Sequence, residues 1–117
     1  MASHSHASPF EVKKVTTAEI PANAHLLDVR EPDEWAAGHI PEAQHLPMRE
    51  VPTRLAEIPT DVPVVVVCRV GGRSDQAASF LRDQGWTDVA SLDGGMWNWE
   101  AAGRPMVSES GAPPRVA

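Results

Sequence analysis

The chain has 117 residues, which suits a single domain and excludes a second catalytic domain. Its composition is 42% hydrophobic, enough for a core, and its single cysteine, Cys68, excludes an internal disulfide and a multi-cysteine metal site. Ten Lys and Arg residues against sixteen Asp and Glu residues give a net charge of −6, so neither nucleic acid nor an anionic membrane is expected as a partner. No apolar segment has the length of a membrane helix or the pattern of a signal peptide, and we expect a cytoplasmic protein.

Apolar runs predict four strands between two irregular ends. Residues 1–9 mix Ser, His and Ala and are predicted to be flexible, as is the Ser/Gly/Pro-rich tail at 107–117, which leaves a domain at 10–106. The predicted strands, in chain order, are 10–15, 26–29, 64–67 and 89–92.

Helix signals separate most of these strands. Pro32 marks the first position of a helix at 32–37, and Gly38 is predicted to end that helix in a left-handed conformation. Further helices are predicted at 48–57, 74–84 and 96–102. Alternating strands and helices predict an α/β fold with a central, mainly parallel sheet covered by helices. In such folds ligands bind beyond the carboxyl ends of the strands, which here directs attention to residues 68–74.

A loop rich in glycine and arginine connects the predicted strand at 64–67 to the helix that begins at Ser74. The strand ends at Cys68, and the residues between Cys68 and Ser74 are Arg69, Val70, Gly71, Gly72 and Arg73. Helix N–H groups, the helix dipole and the freedom of the two glycines are expected to surround the thiol with hydrogen-bond donors, and the two arginines add positive charge. Because such surroundings favour the thiolate, we predict a reactive Cys68.

Two other interpretations of Cys68 stay open at this point. A free cysteine is often a buried core residue, so Cys68 would then only fill space at the strand end. A cysteine phosphatase also uses a thiolate in an anion-binding loop. Its signature, however, has five residues between cysteine and arginine, whereas four separate Cys68 from Arg73.

Four segments of the sequence resemble the rhodanese superfamily, and its single-domain sulfurtransferases in particular. They follow one another in the family's order, and the resemblance covers about residues 11–106. The segments are LDVRE at 27–31, GHIPEA at 38–43, CRVGGRS at 68–74 and LDGG at 92–95, accompanied by Trp35, Trp97 and Trp99.

This resemblance implies a rhodanese-like three-layer α/β fold in which the mainly parallel sheet has five strands and helices on both faces. It also implies an enzyme, a thiosulfate sulfurtransferase, in which catalytic Cys68 takes the sulfane sulfur of a small anionic donor and carries it as a persulfide. The six-residue loop suits sulfur, whereas phosphatase and arsenate-reductase relatives have a seven-residue loop. The implied substrate-binding residues are Arg69, Val70, Gly71, Gly72, Arg73 and Ser74, the arginines through their charge and the segment 70–74 through its N–H groups.

The absence of a second cysteine requires the persulfide to pass its sulfur to an external acceptor, which we expect to be a thiol, cyanide or a sulfur-relay protein. We expect no companion domain to cover the loop, so the site is expected to admit bulky acceptors. No metal or cofactor is expected. The alternatives are a non-catalytic protein-binding module and, third, a phosphatase or arsenate reductase relative.

Several other residues invite a functional interpretation but have a simpler one. Asp28 and Arg30 are expected to form structural ion pairs with Glu31 or Glu34. No metal role is expected for His39 and His45, and no function for His4 and His6. Core or capping roles are expected for Trp35, Trp86, Trp97 and Trp99, and Trp97 or Trp99 is also a candidate for the mouth of the loop. Gly94 and Gly95 are expected to form a tight turn.

Overall fold

The computed structural model describes residues 12–117, and the expectations for residues 1–11, including those for His4 and His6, lie outside this range. The strands are β1 (Lys14–Val15), β2 (His25–Asp28), β3 (Gln44–His45), β4 (Val64–Val67) and β5 (Val89–Leu92). The α-helices are α1 (Pro32–Ala37), α2 (Gly72–Asp83) and α3 (Gly95–Ala101), and short 3₁₀ helices occupy Thr17–Glu19, Met48–Thr53 and Leu55–Glu57. Within the described range, no helix is both long and apolar enough to cross a bilayer.

The five strands form one parallel sheet in the order β1-β5-β4-β2-β3. β4 lies at its centre, and all four valines of β4 are buried. Its first and third valines pack in a core that includes Leu81 of α2, and its second and fourth pack in a core that includes Met96 of α3. Successive strand side chains point to opposite faces, so β4 is covered on both sides. The predicted three-layer α/β fold with a five-stranded parallel sheet is confirmed.

The predicted strands agree with the structure where an apolar run is strong. β4 and β5 have the predicted bounds, whereas β2 begins and ends one residue earlier than predicted. β1 is the end of the run predicted at 10–15, the first part of which lies outside the described residues. β3 was not predicted, because its two residues are polar and half-buried and form a strand only by pairing with the end of β2.

The helix predicted at 48–57 is instead two 3₁₀ helices. Pro52 lies inside the first of them and has no N–H to donate to an α-helical ladder. The hydrogen bonds from Arg54 N–H to Val51 C=O and from Glu57 N–H to Arg54 C=O have the i to i+3 spacing of a 3₁₀ helix. The helices predicted at 74–84 and 96–102 are present as α2 and α3. α2 begins at Gly72, two residues before its predicted start, and α3 begins at Gly95, one residue before its predicted start.

Gly38 ends α1 as predicted, but the predicted left-handed conformation is wrong. Its φ is 175°, which is extended backbone open to any residue. Glycine is needed for space, since a Cβ would lie 2.4 Å from the carbonyl oxygen of Arg115. The segment 107–117 lies here: Val107 pairs with His39, and Arg115 N–H donates to Ala37 C=O at 3.0 Å. The segment predicted to be a mobile tail therefore packs against α1 in the structure, and its mobility stays a prediction.

Candidate active site

Cys68 follows β4 directly and is 1% exposed. Its Sγ atom accepts a hydrogen bond from the Gly71 N–H at 3.0 Å and lies 3.4 Å from Ser74 Oγ. The burial agrees with a core-filling cysteine, but a side chain that only fills space needs no polar partners. A backbone donor on the sulfur favours a thiolate, because hydrogen bonds to a charged form stabilise it. The contacts therefore support the reactive interpretation, although the sulfur is less open to solvent than the sequence led us to expect.

Two hydrogen bonds from α3 hold the carbonyl groups at the start of the Cys68 loop, which we define as residues 68–73. Met96 N–H donates to Cys68 C=O at 2.8 Å, and Trp97 N–H donates to Arg69 C=O at 3.0 Å. These carbonyls therefore point at α3 rather than into the loop. The loop ends at the start of α2, where the first backbone N–H groups have no carbonyl acceptor within the helix. The N–H groups in that first turn are those of Gly72, Arg73 and Ser74.

Gly95 permits this close approach of α3 to the loop. Its φ of 53° is in the left-handed region, and a Cβ would lie 2.3 Å from the Cys68 carbonyl oxygen. The tight turn expected at Gly94 and Gly95 is present, with positive φ at both residues. The steric requirement was not predicted, because the loop backbone that a Cβ would meet is remote in sequence.

One serine hydroxyl, that of Ser74, lies next to the sulfur, and a second, that of Ser91, lies next to Ser74. Ser74 Oγ donates to the Gly71 carbonyl oxygen at 3.0 Å and is 2.7 Å from Ser91 Oγ. Both serines are completely buried. Ser74 was predicted as a site residue through its N–H group, whereas Ser91 was not predicted at all. A buried serine in β5 gives no sequence signal, because only the pairing of β5 with β4 brings it near the loop.

Arg73 forms a bidentate salt bridge with Glu34 of α1, with N–O distances of 2.7 and 2.9 Å. The hydrogen bonds from Arg73 lower the pKa of Glu34 to about 2, and the same contact raises the pKa of Arg73. The positive charge that the sequence suggests for an anionic donor is therefore partly neutralised. Glu34 was expected to take part in a structural ion pair at the end of β2, but its carboxylate instead binds Arg73 of the loop.

Arg69, Val70 and Trp97 form the exposed side of the loop. The Arg69 guanidinium lies over the Trp97 ring, 5.6 Å from its centroid, and Arg69 Nε donates to the Ala117 carbonyl oxygen at 2.9 Å. Val70 and Trp97 are each 55% exposed. Trp97 is therefore not a core residue, in contrast to the buried Trp86 and Trp99. The structure places it at the mouth of the loop.

Asp28 and Arg30 form a structural ion pair, as predicted, but with each other. Their side chains are fully buried, and Arg30 Nη2 is 2.8 Å from Asp28 Oδ2. Residues two apart at a strand end point to the same side, which is why they meet. Arg30 also donates to the carbonyl oxygens of Glu34 and Gly38. The pair thus ties the end of β2 to α1, and the predicted partners Glu31 and Glu34 were wrong.

The histidines near α1 stack on an aromatic ring. The rings of His39 and His45 lie parallel to Trp35, with centroids 3.6 and 4.7 Å away. His39 Nδ1 contacts the Trp35 carbonyl oxygen, and His45 Nε2 contacts that of Arg30. Within residues 12–117, no group of three or more His, Cys, Asp or Glu side chains is placed to hold a metal ion.

Comparison with known proteins gives consistent matches. Residues 13–102 match the family described as "Rhodanese-like domain". A sulfurtransferase of Allochromatium vinosum is 46% identical over 86 residues, which are 74% of this chain and 80% of the relative. The thiosulfate sulfurtransferase GlpE of Pseudoalteromonas translucida is 42% identical over 77 residues, which are 66% of this chain and 73% of the relative. The crystal structure of a rhodanese-related protein from Thermoplasma volcanium has a TM-score of 0.75 and 30% identity, covering 81% of this chain and 97% of its own.

Proposed function

The chain belongs to the rhodanese-like family, and we propose that it is a thiosulfate sulfurtransferase with Cys68 as its nucleophile. The observation that carries the proposal is the hydrogen bond from Gly71 N–H to Cys68 Sγ at 3.0 Å, at the start of α2. A backbone donor and a helix N-terminus together favour the ionised sulfur, which is the form that attacks. Relatives named sulfurtransferase support the reaction class.

The proposed reaction has two displacement steps. In the first, the Cys68 thiolate attacks the outer sulfur of thiosulfate, a new S–S bond forms, and sulfite leaves with the electron pair of the old S–S bond. In the second, an external thiolate or cyanide attacks the outer sulfur of the persulfide, and Cys68 leaves as a thiolate. Electrons balance in both steps without an oxidant, a reductant or a cofactor.

Donor binding is assigned to the Cys68 loop. Arg69 supplies most of the attraction for an anionic donor, because Glu34 occupies the Arg73 guanidinium. Among the described residues, the terminal amino groups of Arg69 have no hydrogen-bond partner, whereas its Nε is bound to Ala117. The N–H groups of residues 70–74 are proposed to hold the persulfide sulfur, whose negative charge needs donors once sulfite has left.

The acceptor is proposed to approach over Val70 and Trp97. Cys68 Sγ is buried, but the outer sulfur of its persulfide lies one S–S bond farther out, about 2.05 Å. An acceptor therefore meets that sulfur at the mouth of the loop, where both side chains are half exposed. This apolar rim suits an organic or protein thiol more than it suits cyanide.

Intact mass measurement tests the nucleophile. After incubation with thiosulfate, the wild type is expected to gain the mass of one sulfur atom and to lose it on addition of cyanide, with formation of thiocyanate. Cys68→Ala is expected to show neither change, while Ser79→Ala, which removes a buried hydroxyl of α2 that is bound by Arg82, should behave as the wild type. A sulfur gain that persists in Cys68→Ala would contradict the proposal.

The two alternatives predict different outcomes. A protein-binding module would bind its partner equally well in Cys68→Ala and show no sulfur transfer. A phosphatase or arsenate reductase relative would turn over an aryl phosphate or arsenate. Thiocyanate formation without either turnover would favour the sulfurtransferase.

A further inference from the structure

Two buried serines form a chain of hydroxyl groups that ends at the Cys68 sulfur. Ser74 is in the first turn of α2 and Ser91 is in β5, and neither is exposed. Ser91 Oγ is 2.7 Å from Ser74 Oγ, which is 3.4 Å from Cys68 Sγ. Ser91 therefore reaches the sulfur only through Ser74.

The hydrogen atoms of this chain can be assigned. Each hydroxyl has one hydrogen, and within residues 12–117 Ser74 Oγ is the only hydrogen-bond partner of Ser91 Oγ. A buried hydrogen without an acceptor is costly, so Ser91 donates to Ser74. Ser74 must then give its own hydrogen to another acceptor. The two within reach are the Gly71 carbonyl oxygen, at 3.0 Å, and Cys68 Sγ.

The choice between these acceptors follows the charge on the sulfur. A Cys68 thiol donates its own hydrogen to Ser74, and Ser74 then donates to Gly71. A thiolate has no hydrogen, so Ser74 can turn its hydrogen to the sulfur. The Gly71 carbonyl still accepts from Asp75 N–H at 3.0 Å, and no group is left without a partner. Rotation of one hydroxyl is thus enough to serve both states.

We propose that Ser91 is a positioning residue for Cys68: its hydroxyl donates to Ser74 and commits the Ser74 hydrogen to the ionised sulfur. The inference rests on the proposed function only in taking Cys68 as the nucleophile. When the persulfide forms, the negative charge moves to the outer sulfur and Ser74 can return to Gly71. Ser91 therefore supports the attacking form more than the persulfide form.

Other charges near the loop stay in place when Ser91 is changed. Among the described residues, no charged side chain forms a hydrogen bond with either serine hydroxyl. The charged residues of the loop and of the elements around it are Arg69, Arg73, Glu34, Asp75, Lys14, Asp28, Arg30 and Asp93. A change in the pH profile of a Ser91 variant would therefore report on the hydroxyl chain.

Alkylation by iodoacetamide tests the proposal, because it reads the thiolate without a sulfur donor. Loss of one buried neutral hydrogen bond changes an equilibrium constant, here that between thiol and thiolate, by a factor of roughly 3 to 10. We expect Ser91→Ala to slow alkylation at pH 7 by that factor and to move the midpoint of the rate against pH upward, with the plateau at high pH retained. Ser91→Thr keeps the hydroxyl and should restore the profile, and Ser79→Ala is the matched control with an unchanged profile.

A double-mutant cycle decides whether Ser91 acts through Ser74. If it does, Ser91→Ala adds no further effect in a Ser74→Ala protein. Additive effects, or a folded Ser91→Ala protein with the wild-type profile, would overturn the proposal; circular dichroism establishes folding. A further outcome is that the variants show the expected alkylation rates while the wild type gains no sulfur from thiosulfate. That result would refute the proposed function and leave the role of Ser91 standing.

Discussion

The salt bridge between Glu34 and Arg73 joins α1 to the Cys68 loop, and its contribution to stability should depend on pH. The difference between the ordinary Glu pKa of 4.5 and the value of about 2 for Glu34 corresponds to about 3 kcal/mol before screening by water is considered. Water screens the pair, because 35% of the Arg73 side chain and 15% of the Glu34 side chain are exposed. We therefore expect Glu34→Gln to lower the free energy of unfolding at pH 7 by about 1–2 kcal/mol.

The sign of the pH dependence follows from the direction of this pKa. The pKa of Glu34 is lower in the folded state, so its stabilisation is fully present above the unfolded-state value of 4.5 and is lost as the pH falls towards about 2. Roughly 40% of the difference between wild type and Glu34→Gln should remain at about pH 3, and roughly a tenth at about pH 2. Urea unfolding followed by tryptophan fluorescence at several pH values measures this difference.

A matched control separates this pair from a general charge effect. Glu100 of α3 is exposed, and Glu100→Gln should change the free energy of unfolding by less than about 0.5 kcal/mol at every pH. Equal stability of Glu34→Gln and wild type at pH 7, or a difference that does not change with pH, would refute the reasoning. The same variant frees the Arg73 guanidinium, so its KM for thiosulfate should be lower than that of the wild type.

Three further substitutions test the structural basis of the site. Gly95→Ala should destabilise the protein by about 3 kcal/mol or more in urea unfolding and prevent sulfur loading. The control is Gly103→Ala, where φ is also positive but no atom of residues 12–117 would meet the added Cβ, and it should cost only about 1–2 kcal/mol. Equal costs would contradict the close approach of α3 to the loop. Asp28→Asn leaves the buried charge of Arg30 without its partner and should cost about 3–5 kcal/mol by the same measurement, and a loss below about 1 kcal/mol would show that the pair is dispensable. Trp97→Ala should raise KM for a bulky organic thiol more than KM for cyanide in steady-state kinetics, with equal increases counting against an acceptor surface at Trp97.

Local sequence was sufficient for the parts of the fold with a strong pattern of their own. Four consecutive valines predict β4 because a strand buried on both faces needs apolar residues at every position. β3 has no such pattern and exists through its pairing with β2. The segment at 48–57 is predicted as one helix, but it contains Pro52 and takes 3₁₀ turns in the structure.

The candidate site divides in the same way. Cys68 and Gly71 are three residues apart, so a strand end, a glycine turn and a helix start bring the Gly71 N–H to the sulfur by local geometry. Glu34 and Ser91 also contact this site, but they are far from it in sequence. No property of either residue type distinguishes them from the other acidic residues and serines of the chain.

Sequence patterns were enough to predict the class of fold, to propose Cys68 as the nucleophile and to predict the donors next to it, because these depend on interactions between residues that are close along the chain. The tertiary structure alone decided that Arg73 binds Glu34, that Arg30 binds Asp28, that α3 holds the loop carbonyls, and that Ser91 stands behind Ser74. Those contacts depend on the order of the strands and on how closely the helices pack against the sheet, and both are set by the burial of apolar surface over the whole domain.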